Sequence, residues 1–171
     1  VGKTASIDEL IEEGFDAIFV GTGAGLPVFM NIPGENSIGV YSANEYLTRM
    51  NLMKAYRFPE YDTPMPKGHK VVVVGGGNVA MDCARSALRA GAESVLLLFR
   101  FSRDLMEANA HEIADAESEG VVMRCLVSPL RFIGDEGGRL NSMEIQQVEL
   151  RHSPEGGLPE VIPIEKTEEI I

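Results

Sequence analysis

Gly75-Gly76-Gly77-Asn78-Val79-Ala80 satisfies the spacing G-x-G-x-x-A. The string directly follows the apolar run Lys70-Val71-Val72-Val73-Val74 and directly opens a helical pattern from Asn78 to Ala90. Strand, glycine turn and helix in that order form the arrangement that cradles a dinucleotide pyrophosphate. Gly75 suits the tight turn, Gly77 lets the backbone approach a phosphate, and Ala80 lets helix and strand pack closely. The first N–H groups of such a helix have no intrahelical partners, and they face the anion together with the positive end of the helix dipole. Gly75, Gly76, Gly77, Asn78, Val79 and Ala80 are therefore assigned to cofactor binding.

The residue types further on point to the dinucleotide. An NAD site places Asp or Glu about 20 residues on, at the end of the second strand, where it binds the ribose hydroxyls. At about that offset from Ala80 stands Arg100. Glu93 precedes the strand Ser94–Phe99 and so sits at its wrong end. A guanidinium after the strand can grip a 2′-phosphate with two charge-assisted hydrogen bonds. Arg103 can add a second contact and Ser102 a hydroxyl. These residues point to NADPH. No nucleophile, general base or metal-ligand set is visible, so the pattern is one of binding a redox cofactor.

These residues need a scaffold, and the composition supplies one. The chain has 171 residues, 44% of them hydrophobic, enough for one packed domain. Its net charge of −11 makes it a poor partner for nucleic acid or anionic lipid. No apolar run approaches the roughly 20 residues that cross a bilayer. Cys83 and Cys125 give neither a disulfide framework nor a metal spacing, which fits a reduced, cytoplasmic setting. His69, His111 and His152 are scattered.

Along the chain, Ile7 to Glu13 reads as a short helix with Ser6 as its cap. Phe15 to Val20 reads as a buried strand, ending at Gly21-Thr22-Gly23-Ala24-Gly25. Pro27 follows, so that glycine string opens no helix and reads as a sharp, open turn. Ser42-Ala43-Asn44-Glu45 is a capping box, and a helix is expected from about Ala43 to Tyr56, burying Tyr46, Leu47, Met50 and Met53. The valines of Lys70 to Val74 suit a central parallel strand. A helix closes at Gly91, Ser94 to Phe99 is the next strand, and Ser102 to Glu119 reads as a helix stopped by Gly120. Glu107, Glu112, Asp115, Glu117 and Glu119 read as its wet face. Val121–Val127, Leu130–Ile133, Leu140–Leu150 and Val161–Ile164 then read as strands of a small antiparallel meander. The fold class is α/β: a three-layer Rossmann-like NAD(P)-binding domain with a parallel central sheet and that meander.

Val73-Val74-Gly75-Gly76-Gly77-Asn78-Val79-Ala80-Met81-Asp82 resembles the NADPH-binding stretch of glutamate synthase small-subunit-type oxidoreductases. Phe15-Asp16-Ala17 through Gly25, Ile32-Pro33-Gly34-Glu35, Val40-Tyr41-Ser42-Ala43-Asn44-Glu45 and Phe58-Pro59-Glu60-Tyr61 resemble the same family. The resemblance implies two nested domains, one for FAD and one for NADPH, with hydride passing from NADPH to FAD and electrons on to iron–sulfur clusters. It implies that Gly21 and Gly23 stand beside the FAD, that residues 1–24 belong to the FAD-domain junction, and that residues 25–171 form the NAD(P)H-binding domain. The family's N-terminal FAD fingerprint, its C-terminal Gly-Asp segment and its iron–sulfur cysteines are not in this sequence. The chain thus resembles the middle of a longer protein, with FAD expected only in the parent and no turnover expected of the chain alone. Expected partners are the FAD-domain halves and a large glutamate synthase subunit or an iron–sulfur protein. Two other readings are an NADP(H)-sensing or subunit-binding module, and the flavin subunit of a ferredoxin:NADP or pyrimidine oxidoreductase. The sequence departs from the family at Arg100-Phe101, Met106-Glu107-Ala108 and Gly156-Gly157-Leu158, where the family has Arg-Arg, Met/Leu-Pro-Ala and Gly-Arg-Arg.

Overall fold

The computed structural model describes residues 4–21, 23, 25–65, 68–152 and 156–171. Its helices are α1 (Ile7–Glu12), α2 (Ala43–Leu47), α3 (Asn78–Arg89) and α4 (Ala110–Ser118). Strands β1 (Lys70–Val74), β2 (Ser94–Phe99) and β3 (Val122–Cys125) form a parallel sheet in that order. Val72 stands opposite Leu96, and Leu96 opposite Val122. α3 joins β1 to β2 and α4 joins β2 to β3, as parallel neighbours require. α3 ends on Gly91 at φ +100° and α4 on Gly120 at φ +107°, a conformation in which glycine carries no Cβ penalty.

Side chains alternate across a strand, and here both faces are covered. Val71, Val73, Val95, Leu97, Phe99 and Met123 pack with Ala80, Met81, Ala84, Ala87, Ile113 and Ala116 of the two helices. Val72, Leu96 and Leu98 pack the other way, with Val127, Phe132, Met143 and Ile145. Leu97 and Leu98 are adjacent in sequence, opposite in direction and both fully buried. Burying one such leucine contributes about 1.5–3 kcal/mol, so the sheet is held from both sides.

The second cover is itself a sheet. β4 (Val127–Gly134) and β5 (Leu140–Arg151) pair antiparallel, and β6 (Glu160–Pro163) and β7 (Glu169–Ile170) pair antiparallel with β5. The turn between β4 and β5 is held by Asp135 Oδ1, which accepts from the N–H groups of Gly137 and Arg139, both at 2.9 Å. The layers are therefore helices, parallel sheet and meander. This bears out the expected fold class.

Several local expectations need correction. β2 is the central strand; β1, despite its valines, pairs among the described residues only with β2. Phe15 to Val20 forms no strand, and Phe19 is 95% exposed, because no described segment pairs with it. The helix expected from Ala43 to Tyr56 breaks into α2, a π turn at Thr48–Leu52 and a 3-10 turn at Ala55–Arg57. Lys54, at φ +53°, interrupts it, with Nζ donating to the Tyr61 hydroxyl at 3.0 Å. Met50 is buried as expected, but Met53 is 46% exposed.

The helix expected from Ser102 to Glu119 is also two pieces, a 3-10 turn at Arg103–Leu105 and then α4. Met106 and Asn109 are extended, and their segment bonds to the glycine loop in place of itself. The strands expected at Val121–Val127, Leu130–Ile133, Leu140–Leu150 and Val161–Ile164 appear as β3, β4, β5 and β6 with shifted ends. Within the 152–160 loop, residues 153–155 lie outside the described residues, as do Thr22 and Ala24 of the early glycine string.

Candidate functional site

The glycine loop is shaped by three different constraints. Gly75 takes φ +145° and donates its N–H to Leu98 O at 3.0 Å, which extends the β1–β2 ladder into the turn. A Cβ there would press on Ala80 Cβ at 3.3 Å, so Gly75 and Ala80 together bring α3 onto the strand. Gly76 is buried, and a Cβ on it would lie 2.5 Å from Phe99 Cε2. Gly77 is the N-cap of α3, with extended dihedrals, and a Cβ on it would meet nothing within 4 Å. The space beside Gly77 belongs to a cleft of about 440 Å³, lined by Val73, Val74, Gly75, Gly77, Asn78, Val79, Ala80, Ala43 and Glu107.

This cleft stands at the N-terminus of a twelve-residue helix whose first N–H groups lack intrahelical partners. Small residues make the close approach possible: Ala80, Cys83, Ala84 and Ala87 are all buried on the inner side of α3. Asn78 has a second task. Its Oδ1 accepts from the Asn109 N–H at 2.8 Å, while Gly76 O accepts from the Ala108 N–H at 3.0 Å. The loop after β2 is thereby tied to the glycine loop.

At the C-terminal end of β2, Phe99 and Phe101 meet edge to face with ring centroids 5.6 Å apart, and the Arg100 guanidinium rests over the Phe101 ring at 5.0 Å. Gly76, Phe99, Phe101 and Arg100 thus form one contact chain from the glycine loop to the arginine. Arg100 is exposed, and among the described residues no carboxylate pairs with it. Ser102 opens the following 3-10 turn, its carbonyl accepting from the Leu105 N–H at 3.0 Å.

Arg103 donates through Nη1 and Nη2 to the two carboxylate oxygens of Glu117, at 2.5 and 2.7 Å. That pairing pushes Arg103 up and holds Glu117 below the usual carboxylate range, chiefly through these hydrogen bonds. Gly21 and Gly23 are exposed and do not line the cleft.

Sequence reasoning missed Ala43, Glu107, Phe99 and Glu117. Ala43 follows the capping serine, whose Oγ accepts from the Glu45 N–H at 3.2 Å, so that box was a usable signal. The acidic side chains of α4 are more than a wet face: Arg85 of α3 donates to Glu112, Asp115 and Glu119 at 2.6 to 3.2 Å. Cys83 is free and buried, and burial pushes its thiol up to about 12, which removes it as a nucleophile near neutral pH.

The sequence model of the pyridine nucleotide-disulphide oxidoreductases matches residues 3–152. The chain belongs to this family. Similar curated proteins include the NADP(+)-dependent formate dehydrogenase subunit beta of Moorella thermoacetica, 37% identical over 98% of this chain and 23% of that protein. The glutamate synthase [NADPH] small chain of Halomonas elongata is 34% identical over 95% of this chain and 34% of its own length. The resemblance to glutamate synthase small chains is thus borne out, and this chain spans about a quarter to a third of the length of these relatives. Among solved structures of the same fold is Mycobacterium tuberculosis FprA in complex with NADPH, with a TM-score of 0.71 at 21% identity, covering 100% of this chain and 51% of that one. Among the described residues no helix is long and apolar enough to cross a membrane.

Proposed function

We propose that this chain is the NADPH-binding unit of a flavin-dependent oxidoreductase of the glutamate synthase small-subunit type. The observation that carries the reading is the open cleft at Gly77, set at the N-terminus of α3 and linked through Phe99 and Phe101 to Arg100, which has no carboxylate partner among the described residues. The residues fit the cofactor. Gly75, Gly77, Asn78 and Val79 would hold the pyrophosphate, with the α3 N-terminus facing its charge. Arg100 would hold the 2′-phosphate, with Ser102 and Arg103 beside it. When bound, NADPH supplies a hydride, and in the parent protein FAD is its acceptor, with electrons passing on to iron–sulfur clusters.

The chain's own part is to bind and orient. The Phe101 ring holds the Arg100 guanidinium 5.0 Å from its centroid, a cation–π placement that costs an exposed arginine little of its hydrogen-bonding capacity. Residues 1–24, with Gly21 and Gly23, belong in this reading to the FAD-domain junction. Residues 25–171 are the NAD(P)H-binding domain. Relatives are named as beta subunits or small chains, which supports partner chains such as a large glutamate synthase subunit or an iron–sulfur protein. Their names differ in reaction, so the acceptor is set by parts of the parent outside this unit.

Calorimetric titration with NADPH and NADH tests the reading. Wild type is expected to prefer NADPH, and Arg100→Ala to lose about 1.5–3 kcal/mol of that preference, the contribution of a charge-assisted hydrogen bond. Equal affinities of wild type for the two cofactors would refute the phosphate role. The purified chain is expected to carry no flavin; a stoichiometric visible flavin band would contradict the division of labour.

A further inference from the structure

Two arginines follow β2, and the structure treats them differently. Arg100 lies on the Phe101 ring without a carboxylate partner among the described residues. Arg103 is gripped fork to fork by Glu117, which comes from α4, a different element. We propose that Glu117 sets how strongly this chain prefers a 2′-phosphorylated dinucleotide, by competing with that phosphate for the Arg103 guanidinium. The inference rests on the dinucleotide reading of the cleft given above.

Three observations carry it. With the pair intact, Arg103 and Glu117 sum to zero charge, while Arg100 pairs with no carboxylate among the described residues. Both members of the pair are accessible, at 53% and 40% side-chain exposure, so a phosphate can reach the guanidinium. An exposed pair of this kind contributes little to stability, and exchanging a carboxylate for a phosphate on the same fork is correspondingly easy. The other acids of α4 and its C-cap are differently engaged: Glu112, Asp115 and the C-cap Glu119 pair with Arg85 of α3. Among the described residues, Glu117 is the α4 acid that pairs with Arg103, in the 3-10 turn after β2.

The test is titration of the purified chain with NADPH and with NADH, for wild type, Glu117→Gln and the double variant Glu117→Gln/Arg103→Gln. Glu117→Gln frees Arg103 and is expected to raise the NADPH-over-NADH affinity ratio about five- to tenfold, the effect of one further charged phosphate contact. The double variant removes the freed cation as well and is expected to lose the gain shown by Glu117→Gln. An unchanged or lower ratio in Glu117→Gln overturns the proposal. So does a fivefold or greater loss in the double variant, because it means that Arg103 already serves the phosphate with Glu117 in place. Glu117→Ala, titrated in the same way with the same expected rise, keeps the question decidable should Glu117→Gln fold poorly. Wild type binding neither cofactor sinks the reading of the cleft and this inference with it; wild type preferring NADPH with no response to Glu117→Gln sinks only the role of Glu117.

Discussion

Asn78 Oδ1 accepts a 2.8 Å hydrogen bond from the backbone N–H of Asn109, the N-cap of α4. One side chain therefore joins the first residue of α3 to the start of the next helix. Its position in the glycine string suggests only a phosphate contact; in the fold it also fixes the loop that closes one side of the cleft.

Asn78→Ala is expected to destabilise the chain by about 1 kcal/mol, through the lost hydrogen bond. Asn78→Asp keeps the acceptor and places an anion in the first turn of α3, so stability should be retained. If the cleft holds the pyrophosphate as proposed, dinucleotide affinity should fall in the same variant, because the new charge would face the phosphates. Chemical denaturation and cofactor titration, run side by side, check this. Equal losses of stability in both variants would count against the tie to Asn109.

Gly76 and Phe99 give a second expectation. A Cβ on Gly76 would lie 2.5 Å from the Phe99 ring, too close for either to stay in place. Gly76→Ala should displace Phe99, and with it Phe101 and Arg100, costing about 1–3 kcal/mol of stability. Gly76→Ala combined with Phe99→Leu removes much of the ring and should recover part of that loss. Unfolding midpoints of the two variants settle it; no recovery in the pair would mean that the strain lies elsewhere.

The α3–α4 ion network predicts a dependence on pH. Arg85 and Arg89 both donate to Glu119 Oε1, Arg85 Nε at 3.0 Å and Arg89 at 2.7 Å. The Arg85 hydrogen bond, with help from Arg89, holds the Glu119 carboxyl below its ordinary value of 4.5. A depressed carboxylate stabilises the fold above its unfolded pKa and ceases to do so as pH falls through the folded value. Wild type should therefore melt higher than Glu119→Gln near neutral pH, and the gap should close on acidification below 4.5. Melting curves over that range provide the check, and a gap that stays constant would contradict the assignment.

The features legible in the sequence are those decided over a few residues. The valine run of β1, the glycine turn and the start of α3 follow from pattern and conformational freedom at Gly75. Ser6 and Ser42 cap α1 and α2 through residues three positions on, Glu9 and Glu45, and Gly91 and Gly120 stop α3 and α4. Their physics is local, so the linear order of residues suffices.

What the tertiary structure alone decided depends on partners far along the chain. Glu117 stands 14 residues from Arg103, Asn109 stands 31 from Asn78, and Glu119 stands 34 from Arg85. Nothing in the spacing of Arg100 and Arg103 separates them; the approach of α4 neutralises Arg103 through Glu117, while no carboxylate among the described residues pairs with Arg100. The same holds for Phe15 to Val20, apolar enough for a strand but without a neighbouring strand among the described residues, and for β1, whose valines suit a central strand while β2 takes that place. A strand needs an edge to pair with, and an ion pair needs two side chains brought together. The sequence by itself determined the glycine loop and the helix that opens at it; the packing of α4 decided that Arg103 is paired with a carboxylate, because Glu117 reaches it only in the folded chain.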